Sequence, residues 1–88
     1  ERDRHRRDAD EAAAAVAARI ARLSGREREV MWLVADGHQN REIGAALGLS
    51  PRTVEIYKAR MMEKLQARGL ADLLRILTGV PREKRNAG

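Results

Sequence analysis

Apolar residues along this chain recur at spacings of three and four positions, the period of a helix and not of a strand. From Asp8 an acidic opening, Asp-Ala-Asp-Glu, leads into four alanines and then Val16, Ile20 and Leu23. This predicts a helix with a narrow, alanine-rich apolar stripe, its acids in the first turn and Arg19 and Arg22 in the last, as the helix dipole favours. Ser24 and Glu27 have the spacing of a capping box ahead of Val30, Met31, Leu33 and Val34. A second helix therefore starts at Gly25 or Arg26 and ends at Asp36, where Gly37 supplies the left-handed residue that closes a helix. Asn40, Ile43, Leu47 and Gly48 outline a third helix of about two turns, with Asn40 as its cap. Gly44, Ala45 and Ala46 permit a close crossing, although glycine costs roughly 1 kcal/mol against alanine inside a helix.

Ser50 and Pro51 fix the next start, because serine caps the first turn and proline suits a position whose N–H needs no partner. The helix is expected to reach Gln66 or Ala67 and to stop at Gly69. Residues 100° apart place Val54, Tyr57, Met61 and Leu65 on one stripe, and Arg52, Glu55, Ile56, Ala59 and Glu63 on the other side. One stripe packs and the other faces outward. Leu70, Leu73, Leu74 and Leu77, with Ile76 beside them, predict a last helix ended by Gly79 and Pro81. The fold class is all-α: a four-helix domain over 24–80, preceded over 1–23 by a charged lead and a linker helix, and followed by a polar tail over 81–88. Residues 1–8 hold no apolar side chain and read as a frayed lead. A short helix, the tight turn Gly48-Leu49-Ser50 and a capped longer helix make a helix-turn-helix.

Composition narrows the chemistry. In 88 residues the aromatics are Trp32 and Tyr57 alone, so the core is aliphatic and single-stranded nucleic acid lacks stacking partners. There is no cysteine, and His5 and His38 lie far apart, which leaves no metal centre. No clustered carboxylate and histidine set and no glycine-rich phosphate loop is present, so the chain reads as no enzyme and without a cofactor. The net charge is +5. Over 51–68 five basic residues stand against Glu55 and Glu63, a local +3, which suits a polyanionic partner. No apolar run approaches the ~20 residues of a membrane span, so no membrane partner and a cytoplasmic location are expected. The start at Glu1 in a charged stretch reads as a fragment of something longer.

Three stretches together resemble the LuxR-type DNA-binding domain of bacterial response regulators: Leu23-Ser24-x-Arg26-Glu27-Arg28-Glu29-Val30, Ala35-Asp36-Gly37-x-x-Asn40-Arg41-Glu42-Ile43, and Leu49-Ser50-Pro51-Arg52-Thr53-Val54-Glu55, ending in Lys64-Leu65. Residues 50–64 are most similar to the FixJ branch. The resemblance covers about residues 22–80. It implies an effector domain that binds double-stranded DNA as a homodimer on paired half-sites, with the 51–66 helix in the major groove and the C-terminal helix, through Leu70, Leu73, Leu74 and Leu77, at the dimer seam. It also implies a phosphorylated receiver domain upstream, absent from this chain, and RNA polymerase as a further partner. Glu55, Ile56 and Ala59 match base-facing positions. Thr53, Lys58, Arg60 and Lys64 fall where phosphate contacts are common, and Asn40 caps the helix whose N–H groups point at the DNA backbone. The sequence departs from the family at Tyr57, Lys58, Gly44 and His38.

Each residue also has a plainer reading. Arg52 has the forked donors for guanine O6 and N7 but equally suits phosphate. Glu55 either accepts from a cytosine amino group or makes an ordinary helical pair. Ile56 either meets a thymine methyl or is an isolated surface aliphatic. Lys58 lies on the packing side and must snorkel to reach phosphate. Tyr57 is expected to pack, Glu27 to be structural, His38 to be a loop residue, and Trp32 to cover the linker helix or a partner, or to be simply half-buried. Two rival functions remain: region 4 of a sigma factor, which normally lacks the Leu70–Leu77 stripe, and a helical protein-interaction adaptor, which leaves the capped basic helix unexplained.

Overall fold

The computed structural model describes residues 2–80, with side chains from Glu11 onward; the tail expected over 81–88 lies outside the described residues. Five helices follow in order: α1 Arg2–Ala21, α2 Gly25–Ala35, α3 Asn40–Leu47, α4 Pro51–Leu65 and α5 Leu70–Leu77. The described residues contain no strand. The lead expected to fray before Asp8 is instead helical from Arg2. No glycine or proline interrupts 2–21, and arginine and alanine are strong helix formers, so a lack of apolar residues there does not stop the helix.

Caps set the remaining boundaries. The Ser24 hydroxyl accepts from Glu27 N–H at 3.1 Å while Glu27 Oε1 accepts from Ser24 N–H at 2.9 Å, completing the expected box. At the end of α2, His38 N–H reaches Leu33 O and Gly37 N–H reaches Val34 O, with Gly37 at φ 92°, the paired pattern that closes a helix through a left-handed residue. Asn40 does not cap α3. Gln39 takes that position in extended backbone, and its N–H donates to Glu42 Oε1 at 2.8 Å; Asn40 is the first helical residue. The Gln39 bond, with His38 and Arg41 nearby, holds the exposed Glu42 carboxyl below its ordinary range.

The turn between α3 and α4 is tight. Gly48 is left-handed at φ 72°, and Leu49 N–H closes on Gly44 O at 2.8 Å. A Cβ on Gly44 would stand 2.3 Å from the Leu49 carbonyl oxygen. Glycine there is therefore a packing requirement that outweighs its helix-propensity cost, contrary to the reading from propensity alone. Ser50 then accepts from Thr53 N–H at 3.1 Å and Pro51 opens α4. The other end of α4 differs from expectation. Helix ends at Leu65, and Gln66, at φ 58°, takes the left-handed position assigned to glycine. Gly69 is extended and precedes α5.

Val30, Met31, Val54, Met61, Leu65 and Leu73 are completely buried, and Leu23, Trp32, Val34, Ile43 and Leu77 nearly so. They form one cluster joining α2, α4 and α5, with Ile43 bringing in α3 and Ile20 packing from α1. Burying each large aliphatic contributes roughly 1.5–3 kcal/mol, so the stripe along α4 is the axis of the domain.

Candidate nucleic-acid interface

α4 has two separate faces. Val54, Met61 and Leu65 are fully buried and Tyr57 packs against them at half burial. Arg52, Glu55, Ile56, Ala59 and Arg60 are all exposed, and Ile56 keeps 46% of its surface open. The outward face thus sets Arg52, Glu55 and Arg60 around two apolar side chains, Ile56 and Ala59. Lys58 is half-buried, as its place on the packing side requires. Thr53 is half-buried, and its hydroxyl lies 2.9 Å from the Ser50 hydroxyl, so it supports the cap while facing the same end of the helix.

The start of α4 carries no acidic residue in its first turn. Arg52 stands there instead, against the positive end of the helix dipole. A cation in that position gains nothing from its own helix, and an anion close by removes the conflict. At the start of α3, Asn40 is half-buried and Arg41 exposed. Arg41, within the Asn40-to-Ile43 stretch, adds an exposed cation on the neighbouring helix, whereas the also exposed Glu42 is engaged by Gln39 N–H.

Lys64 lies apart from this set. Its Nζ donates to Glu27 Oε1 at 2.8 Å and to Arg22 O at 3.4 Å. The Glu27 side chain is only 4% exposed, and the Lys64 bond together with the Ser24 N–H holds its carboxyl below the ordinary value of 4.5 against the opposing effect of burial. The ammonium expected on phosphate is occupied in joining α4 to α2 and to the turn that follows α1. A buried carboxylate needs such a partner, and no wheel diagram of α4 alone reveals one on another helix.

The leucine set on α5 also divides. Leu73 is fully buried and Leu77 is 8% exposed, whereas Leu70 and Leu74 keep 48% and 44% of their surface open. Leu73 and Leu77 therefore belong to the core of a single chain, not to a seam between copies. The four-residue spacing that marked an apolar stripe could not say which half of it α2 would cover. Trp32, at 4% exposure, is buried, and His38 sits in the loop with its Nδ1 3.6 Å from Glu42 Oε1.

A short helix, a glycine turn and a capped helix with one buried and one polar face define a helix-turn-helix domain of the DNA-binding kind. The luxR family of bacterial regulatory proteins matches residues 21–77, and the chain belongs to that family. It is 47% identical to nodulation protein W of Bradyrhizobium diazoefficiens over 76 residues, 86% of this chain and 34% of that protein. In three dimensions it resembles full-length FixJ from B. japonicum, with a TM-score of 0.76 and 41% identity over 81% of this chain and 35% of that one. The response regulator StyR gives 0.80 and 32% identity over 85% of this chain and 38% of that one. The chain spans about a third of the length of the curated relatives it matches. Membership of this family makes the chain the DNA-binding domain of a transcription regulator and sets aside the sigma-factor and adaptor readings. No helix among the described residues is long and apolar enough to cross a membrane.

Proposed function

We propose that this domain reads specific double-stranded DNA in the bacterial cytoplasm by laying α4 in the major groove. The observation that carries the proposal is the division of α4 into a packed stripe, with Val54, Met61 and Leu65 fully buried and Tyr57 half-buried, and an outward face of Arg52, Glu55, Ile56, Ala59 and Arg60. Arg52 offers two parallel donors to guanine, Glu55 accepts from a cytosine amino group, and Ile56 with Ala59 meets thymine methyls. Arg60, Lys58, Arg41 and the Asn40 end of α3 hold phosphates, with Thr53 at the same end of α4; these contacts position the helix without choosing a sequence. Lys64 is left out of this set because Glu27 already holds it.

Two copies bind paired half-sites, joined through the exposed Leu70 and Leu74. A receiver domain preceding α1 governs the pairing in the longer protein, and RNA polymerase is the onward contact. Selection of bound duplexes from a random pool tests the reading. The expected outcome is a two-half-site consensus, altered at one position per half-site by Arg52→Ala, with a preference of roughly 1–3 kcal/mol lost there. A pool that emerges without enrichment, or an Arg52→Ala consensus identical to the parent's, refutes it.

A further inference from the structure

Away from the outward face of α4, the side of α1 and the end of α5 border an open groove of about 970 Å³. Val16 and Ile20 of α1, Trp32 of α2 and Ile76 of α5 give it an apolar lining. Among the described residues its charged lining consists of Arg19, Arg28 and Arg75 and includes no carboxylate. Arg75 bonds Asp72 through one terminal nitrogen, and its guanidinium stays largely exposed, with further donors to offer. Arg28 is the more telling of the three. One terminal nitrogen reaches Ile20 O at 3.4 Å, but its Nε is buried and has no hydrogen-bond partner. A buried donor left unmatched is unfavourable until an acceptor arrives.

We propose that this groove docks an acidic, amphipathic segment of a partner polypeptide, its apolar side chains against Val16, Ile20, Trp32 and Ile76 and its carboxylates against the three arginines. Charge complementarity selects this occupant. A duplex is a polyanion but gains nothing from an apolar wall. Of its exposed large apolar side chains, a second copy of this chain would present Ile56 between Arg52 and Arg60, Leu70 just after Arg68, or Leu74 beside Arg75, each bringing a cation to a groove that already holds three. An open groove of this breadth admits a helix laid along it, with anchors every three or four residues.

The groove contains the chain's only tryptophan, so emission from Trp32 reports occupancy. Two synthetic helical peptides, one with leucine on one face and glutamate on the other, the second with lysine in place of glutamate, are titrated into the 88-residue chain by fluorescence and calorimetry. The glutamate peptide is expected to bind with a Trp32 emission change and to weaken as salt rises; the lysine peptide is not. The double variant Arg19→Gln, Arg75→Gln, its fold verified by circular dichroism, is expected to lose roughly fivefold in affinity, the equivalent of two exposed ion pairs. Equal binding of both peptides, no binding at millimolar peptide, or an unchanged affinity of the double variant overturns the proposal. So does self-association abolished by Ile76→Ser, which assigns the groove to a second copy, or duplex binding weakened by the same double variant, which assigns it to DNA.

Discussion

Replacing Lys64 with methionine separates two roles for one cation. The stem of the side chain is retained, and what is lost is the 2.8 Å bond to Glu27 and the longer one to Arg22 O. Removing one member of a buried ion pair typically costs 3–5 kcal/mol, because the survivor stays desolvated and unpaired. Glu27 is 4% exposed at its side chain but Lys64 is 40% exposed, so solvent screens part of the attraction and the expected cost is about 2–3 kcal/mol. In a domain of this size that lowers the melting temperature by roughly 10–20 °C. Urea and thermal unfolding followed by far-ultraviolet circular dichroism at pH 7 measure it. Glu27→Gln should lose a similar amount. Its carboxyl is held below 4.5 in the folded state, so the stabilisation is fully present above the unfolded value. It is lost as the pH falls through the lower folded one. The gap between the parent and Glu27→Gln should accordingly narrow below about pH 4. If Lys64→Met instead unfolds with the parent while losing affinity for specific and random duplexes alike, the ammonium is a phosphate contact and the pairing argument fails.

Other substitutions probe separate features. Leu73→Asp puts a charge in a fully buried site and is expected to leave the chain unfolded by circular dichroism. Leu74→Asp, at 44% exposure, should keep the fold and change only sedimentation and cooperative DNA binding. Gln66→Gly relieves a left-handed backbone at φ 58° and should stabilise by about 1 kcal/mol in urea titrations; destabilisation would mean that the Gln66 side chain has a role the backbone does not explain. Gly44→Ala gains roughly 1 kcal/mol of helix propensity but meets Leu49 O at 2.3 Å. Net destabilisation is expected, and a melting temperature equal to or above the parent's would show that the turn yields. Arg60→Gln should flatten the salt dependence of duplex affinity by about one unit of slope, with the selected consensus unchanged.

Most of the fold was legible because its signals are local. The Ser24–Glu27 box, Gly37, Gly48 and the Ser50-Pro51 start each act within a few residues, and each lies where the spacing put it. What escaped depends on contacts between distant segments. Asn40 has the side chain that favours a cap, yet the cap position falls to Gln39, whose side chain makes no cap bond, because the chain leaving Gly37 is already helical at Asn40. Gly69 looked like the end of α4, yet Gln66 bears the left-handed turn because packing of Leu65 and Ala67 on either side fixes the chain there. The division of α5 into core and surface, and the engagement of Lys64 by a carboxylate 37 positions away, are products of tertiary packing. The outward face of α4 was readable because the buried stripe opposite defines it.

That division of α4 has a consequence for how its two sides can be changed. Val54, Met61 and Leu65 are fixed by the core, so the helix has little freedom to roll about its axis, and the side chains at 52, 55, 56 and 59 touch solvent rather than the residues that keep the domain folded. Substitutions on these two sides add almost independently. On the proposed reading of the outward face, its residues can be exchanged to change the sites bound while thermal stability stays nearly constant, so that binding preference and fold stability are set by different residues of one helix.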